Sequence, residues 1–304
     1  MSPRAQKVTV SNISPDDRII AIMGQTGTGK STFINKATNS DLATVGDSLR
    51  ACTSRVNAIR YPHPFDGRPI VFVDTPGFDD TNKSDLDILK MVADWLTKTY
   101  KKGFKLTAII YLHRISDKRM TGAAHNNLVM FKQLCGEKAF QNVIVATTMW
   151  GRVTPEVGEQ REKELQDKFW KRMLDLGSAT ARFHDNFESA WSVVDSILSD
   201  HPTPRALLLQ EEMVDLQKPL NETSAGKELY ERLRGLHGRQ EQVLRELRQQ
   251  ARGQAAAQFA TELEDVEQQI RLLLVQIQEM RVPLGRRILM FFTFRSCFKN
   301  SHMM

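Results

Sequence analysis

The octapeptide Gly24-Gln25-Thr26-Gly27-Thr28-Gly29-Lys30-Ser31 constrains this chain more than any other stretch, because it satisfies the pattern G-x-x-x-x-G-K-[ST] without adjustment. An apolar run at 18–23 precedes it, and a stretch with helical character, about 30–38, follows. A glycine-rich turn between a buried strand and a helix start points several backbone N–H groups inward at one place, which makes an anion cradle. The pattern therefore assigns residues 24–31 to nucleotide phosphates. Lys30 reaches the β- and γ-phosphates, and the Ser31 hydroxyl sits on Mg²⁺.

A second element supports this reading independently. Ile70-Val71-Phe72-Val73-Asp74-Thr75-Pro76-Gly77 reads as a buried strand ending in an aspartate, with a glycine three residues on. An acidic residue at a strand end beside such a loop can hold Mg²⁺ through a water. The amide of Gly77 can approach a γ-phosphate with no side chain in the way.

The remaining pattern is an alternation. Short apolar runs at 56–59, 106–112 and 143–146 are separated by helix-length segments near 84–101, 121–135 and 155–176. Short strands alternating with helices predict an α/β fold, here a three-layer P-loop NTPase domain with a mainly parallel sheet. Helical spacing over 189–198 closes it, and His201-Pro202-Thr203-Pro204 breaks the chain afterwards. The predicted plan is a loose leader at 1–17, a nucleotide-binding domain at 18–200, an α-helical C-terminal extension at 205–280, and a tail at 281–304. Within the extension, Phe259, Leu263, Val266, Ile270, Leu273, Ile277 and Met280 step by four and three, which is a heptad seam. Leu229, Leu233, Leu236, Val243 and Leu247 keep a related spacing before it. The seam serves either a coiled-coil dimer or a helical hairpin folded back on the domain.

The motifs at 24–31 and 74–77 together resemble the first and third signatures of the translation-factor-related GTPases. The loop Gly-x-Thr-Gly-x-Gly-Lys-Ser-Thr and the helical extension are similar to the septin and immunity-associated group. The run from Tyr111 to Gly122 also resembles a group of uncharacterised fungal GTPase-domain proteins. The resemblance covers about 18–200 and implies GTP and GDP as ligands, Mg²⁺ as cofactor, and a nucleotide-controlled switch. Carried over, Thr53 in Cys52-Thr53-Ser54-Arg55 is the switch threonine on Mg²⁺, with Ser54 and Thr44 as rivals. Thr32 takes the position that touches the α-phosphate. Lys30, Thr53 and Gly77 are the implied catalytic set, and Ser31, Thr53 and Asp74 the implied metal set.

Two departures qualify that implication. GTPases of this group read guanine with Asn/Thr-Lys-x-Asp after the fifth strand, whereas this chain has Thr147-Thr148-Met149-Trp150. Thr147 matches the first position, and no carboxylate stands there to read the base, so ATP stays open. Trp150 either stacks on the base or belongs to the core. On the catalytic side, Phe78 follows Gly77 where a water-positioning glutamine is usual, which predicts slow hydrolysis. Thr26 narrows a loop position that is often glycine. Arg114 is the candidate for a catalytic group donated across a dimer, while Asp79 and Asp80 read as solvated loop residues. A scaffold that binds nucleotide without useful turnover is the alternative, and a kinase the third reading.

The net charge of +6 lies mostly in the tail, where Arg281, Arg286, Arg287, Arg295 and Lys299 have no acidic counterpart. That distribution argues against a nucleic-acid face on the folded domain. The tail's apolar run at 288–292, with Phe294 and Phe298, is too short to span a bilayer but suits an anionic membrane surface. The alternative packs those phenylalanines onto the domain. Three separated cysteines, Cys52, Cys135 and Cys297, and no apolar leader predict a reduced, cytoplasmic protein that is peripheral to membranes at most.

Overall fold

A computed structural model describes residues 4–43, 56–78, 83–199, 203–250 and 256–281. Its first compact unit runs from Met1 to Gln217 and its second from Lys218 to Met304.

The first unit is built on a seven-stranded sheet ordered β1-β3-β4-β2-β5-β6-β7. The strands are β1 (Gln6–Val8), β2 (Arg18–Gly24), β3 (Asn57–Pro62), β4 (Pro69–Asp74), β5 (Ala108–Arg114), β6 (Val143–Thr148) and β7 (Ala179–Arg182). β4, β2, β5, β6 and β7 are parallel, β3 pairs antiparallel with β4, and β1 pairs antiparallel with β3. β2, β4, β5 and β6 are buried almost throughout, as continuous apolar strands must be when helices cover both faces. Register brings Asp74 beside Ile22, Gly24 beside Leu112, and Arg114 beside Thr148. The carboxyl ends of four strands thus meet along one edge, where open α/β sheets bind their ligands.

On one face, α1 (Lys30–Thr38) and α6 (Phe187–Leu198) close the core with Phe33, Ile34, Trp191 and Val194. Trp191 is tied down by its indole N–H, which donates to the Ala37 carbonyl at 2.9 Å. α2 (Asp85–Lys101) shows why its sequence is helical. The Ser84 hydroxyl accepts from the Asp87 N–H, Asp85 and Asp87 occupy the first turn, and Leu86, Leu89, Val92 and Leu96 form one buried stripe. Each such leucine contributes about 1.5–3 kcal/mol on burial. α3 (Gly122–Cys135) follows β5. The segment expected as one helix at 155–176 is α4 (Pro155–Glu164), a π-helical turn at Leu165–Phe169, and α5 (Lys171–Asp175). The fully buried Trp170 stands between the last two.

Three sequence expectations change. Gln6–Val8, inside the presumed loose leader, is the edge strand β1. β7 has no apolar run, since Ala179-Thr180-Ala181-Arg182 sits half exposed at the other edge. The compact unit also continues past 200. Arg205 N–H donates to Leu106 O at 3.1 Å, Asn142 holds Thr203 O, and buried Gln210 donates to Leu96 O at 3.0 Å. A short α7 (Leu208–Gln210) and a π-helical turn (Glu211–Asp215) end this strap.

In the second unit, α8 (Ser224–Gln250) and α9 (Ala256–Met280) pack on each other. Leu244 and Leu247 of α8 meet Leu263, Val266 and Ile270 of α9, and Arg248 pairs with Glu267 at 2.7 Å. Part of the heptad seam is therefore satisfied within one chain, as a hairpin. The tail from 282 onward lies outside the described residues, as do Cys52 and Cys297. Cys135 is buried, and burial raises its thiol pKa.

Candidate functional site

The phosphate loop at 24–31 joins β2 to α1, as its sequence requires. Lys30 is only 6% exposed, and its ammonium folds into the loop, donating to Gly24 O at 2.9 Å and Gln25 O at 3.0 Å. The Thr28 hydroxyl donates to Gln25 O at 2.9 Å, which tightens the turn. Ser31, in the first turn of α1, donates its hydroxyl proton to Asp74 Oδ2 at 2.8 Å. Asp74 is wholly buried at the end of β4. These two oxygens from separate elements form the hard donor set that a small divalent cation prefers, so the residues fit the expected Mg²⁺.

The turn after Asp74 is locked to the loop. The Thr75 hydroxyl donates to Ile22 O at 2.8 Å, and the Thr26 hydroxyl to Gly77 O at 3.3 Å. A Cβ on Gly77 would stand 2.4 Å from Thr26 N and 2.8 Å from the Gln25 carbonyl carbon. Glycine is required here because backbone meets backbone. Thr26 therefore holds the Gly77 turn. Thr53, Ser54 and Thr44, together with Asp79 and Asp80, lie outside the described residues.

From Gly29 and Thr32 a cleft of about 890 Å³ runs along the carboxyl end of β6 to the loop after β7. Its lining corrects the sequence reading at Thr147. The side chain that reaches the phosphate loop is that of Thr148, whose hydroxyl donates to Thr28 O at 3.0 Å. Thr147 points to the opposite face, as neighbours on a strand must. It is fully buried, donates to Glu162 Oε1 at 3.1 Å, and accepts from the Trp150 indole N–H at 3.0 Å. It does not line the cleft.

Trp150 does line it, half-buried and outside the core. The Arg182 guanidinium lies 4.3 Å from its ring, and a Cβ on Gly158 would stand 2.5 Å from its Cζ3. Arg182 is itself held by the buried Glu162. Thr147 and Trp150 thus belong to one network, Thr147–Trp150–Arg182–Glu162, that shapes the cleft wall.

A carboxylate is also present in the cleft. Asp185, in the loop between β7 and α6, is an exposed lining residue in the left-handed region at φ 60°. Sequence reasoning missed it along with β7. The available signal was the helix cap just beyond it, where the Asn186 side chain accepts from the Ser189 N–H at 2.8 Å. His113, near the end of β5, lies outside this cleft and is buried against Trp170; burial holds its imidazole down at about 4, with the Asp117 carboxylate opposing and the Arg114 charge assisting. It is therefore neutral at pH 7.

Arg114 ends the same strand and lies against its own phosphate loop. Its Nη1 is 3.3 Å from the point a Cβ on Gly27 would occupy.

Against this geometry, the family description 50S ribosome-binding GTPase matches residues 19–147. An uncharacterised protein of Escherichia coli K12, YkfA, is 24% identical over 149 residues, which span 49% of this chain and 47% of the relative. The chain thus aligns with about half the length of that curated relative. Among solved structures, one described under the dimerization and GTPase activity of the chloroplast translocon components atToc33 and psToc159 superposes with a TM-score of 0.50 at 13% identity. It covers 63% of this chain and 86% of that one. Toc33 from Arabidopsis thaliana with Mg²⁺ and GMPPNP gives 0.48 at 14% identity, covering 62% and 87%. At such identities the likeness is one of fold. Sheet order, phosphate loop and the turn after Asp74 give the first unit the P-loop GTPase fold, followed by a helical C-terminal region.

Proposed function

We propose that the chain is a GTP-binding switch with slow hydrolysis, which associates through its helical extension and tail. The observation that carries the guanine reading is the cleft leading from Gly29 and Thr32 to the carboxylate of Asp185. A carboxylate accepts two hydrogen bonds from the N–H pair on the guanine edge, and adenine offers no such pair. Backbone N–H groups at 24–31 bind the phosphates and Lys30 offsets their charge. Ser31 and Asp74 would hold Mg²⁺, which when bound draws charge from the β- and γ-oxygens. The Gly77 amide is read as the group that registers the γ-phosphate, supported by the close approach of Gly77 to the loop, and Thr53 is the proposed second switch contact. Mass identification of the nucleotide that copurifies with the protein tests the base: guanine supports the reading, and adenine moves it to a P-loop ATPase.

A second reading, a nucleotide-gated scaffold with little turnover, is favoured by Phe78. It is buried where a water-positioning glutamine would stand. Phosphate released against nucleotide bound separates the two. Self-association draws support from Val243, Leu272, Leu274 and Val275, exposed on the helical hairpin. Sedimentation of the full chain against a chain ending at Gln217 tests it, and equal masses per subunit would refute it. The glycine-rich loop together with the helical extension supports placing the chain with the septin and immunity-associated group. No helix among the described residues is long and apolar enough to cross a membrane. We propose a cytoplasmic protein whose basic, aromatic tail at 281–299 touches membrane surfaces. Equal liposome flotation by the full chain and by a chain ending at Met280 would remove that idea.

A further inference from the structure

Arg114 is the last residue of β5, where its backbone pairs with Thr148 of β6. The loop it begins is pinned. Arg161 donates to Ile115 O at 2.9 Å and Ser116 O at 3.1 Å, and the Ile115 N–H donates to Thr148 O at 2.9 Å. The Arg114 Nε is engaged by Asp117 at 3.2 Å, with the two side chains 30% and 21% exposed. That pairing leaves the Nη edge of the guanidinium facing the phosphate loop, where Nη1 lies 3.3 Å from the Cβ position of Gly27. Gly27 has φ +79°, which an L side chain adopts only with strain, so the space over the loop falls to the arginine. A guanidinium is always charged, and its planar fork matches phosphate oxygens two at a time.

We infer that Arg114 acts on the nucleotide of its own subunit, as a second cation beside the phosphate chain, with Asp117 as its positioning residue. The inference rests on the GTPase reading above and replaces donation across a dimer. In hydrolysis, the water oxygen forms a bond to the γ-phosphorus while the bond from that phosphorus to the β–γ bridging oxygen breaks. The electron pair stays on the β-phosphate of GDP, and both protons of the water leave with inorganic phosphate, as dihydrogen phosphate. Arg114 offsets the charge that gathers on the phosphate oxygens during this exchange.

The experiment uses the full-length protein with Mg²⁺. In single turnover of GTP, Arg114→Ala is expected to slow hydrolysis about a hundredfold. Arg114→Lys restores part of the rate, and Asp117→Asn lowers it less than Arg114→Ala does. A binding readout accompanies it, because Arg114→Ala is expected to cut the preference for a non-hydrolysable GTP analogue over GDP about tenfold. Thermal melting by circular dichroism checks that each variant folds. Mixing Arg114→Ala with an excess of Lys30→Ala, which keeps its arginine but lacks the loop lysine, is expected to give no rescue. Rescue by mixing would overturn the inference, as would a wild-type rate and an unchanged triphosphate preference in Arg114→Ala. If the wild-type chain binds GTP without turnover, the hydrolysis reading falls, and the triphosphate preference still decides the role of Arg114.

Discussion

Gly77→Ala tests how the site couples its two halves. An added Cβ would stand 2.4 Å from Thr26 N, 2.8 Å from Gln25 C and 2.8 Å from Thr26 Oγ1. Two of these neighbours are backbone, so no rotamer change relieves the overlap. Restoring ordinary contact needs the 74–77 turn and the phosphate loop to part by about 1 Å, and forced separations of this kind cost about 1–3 kcal/mol. The same movement strains the 2.8 Å bond between Ser31 and Asp74. Gly122→Ala is the matched control, because no atom beyond its chain neighbours and its own helix backbone lies within 4 Å of its Cβ position and the residue sits in the first turn of α3. Alanine there is expected to be neutral or stabilising by up to about 1 kcal/mol. Trp95, Trp150, Trp170 and Trp191 all lie in the first compact unit, so fluorescence-detected urea unfolding reports on that unit. The expected result is a lower midpoint for Gly77→Ala with an unchanged slope, and weaker Mg²⁺-dependent nucleotide binding. A midpoint equal to that of Gly122→Ala with undiminished binding would show that the close approach couples nothing.

Acid should weaken the first compact unit through His113. Its folded value of about 4 lies below the ordinary 6.5, so the unfolded chain binds the extra proton between those values. Its contribution is present above pH 6.5 and is lost as pH falls towards 4, by about 3 kcal/mol at most, and His113→Gln should flatten this part of the stability profile. Asp185→Ala is expected to lower guanine-nucleotide affinity about tenfold or more while leaving adenine-nucleotide affinity unchanged, read by competition binding. Chelation of Mg²⁺ should weaken triphosphate binding in the wild type, and Asp74→Ala or Ser31→Ala should abolish that dependence in titration calorimetry.

The phosphate half of the site was legible because it is written contiguously. Residues 24–31 and 74–77 each combine a buried strand with the turn that follows it, and the apolar runs of β2 and β4 are long enough to declare themselves. α1 begins at Lys30 as the motif demands. The edge strands were less legible. β1 has three residues and β7 four, neither is buried on both faces, and such strands are set by the neighbour they pair with rather than by their own pattern. Heptad spacing in α9 was readable as a seam, but spacing alone cannot say whether the partner helix is in the same chain, and α8 answers that for Val266 and Ile270.

The cleft proposed to take the base escaped a linear reading for a more specific reason. Its lining comes from Gly29 and Thr32, from 148–153 and from 182–185, three segments that only the parallel sheet order brings together. A motif search anchored on β6 takes Thr147 as the first position, yet strand alternation turns Thr147 away and gives the contact with Thr28 O to Thr148. One residue of register decides which hydroxyl meets the phosphate loop. Where the motif would supply a lysine and an aspartate, the charged groups of the cleft include Arg182 and Asp185, on the next strand and loop. β7 pairs with β6 at the sheet edge, and the loop after it packs Phe183 on Phe33 of α1, with ring centroids 5.0 Å apart. The cleft at the end of β6 is thus tied to the helix that opens at Lys30, so a change in the loop after β7 is expected to reach α1 as well as the cleft wall.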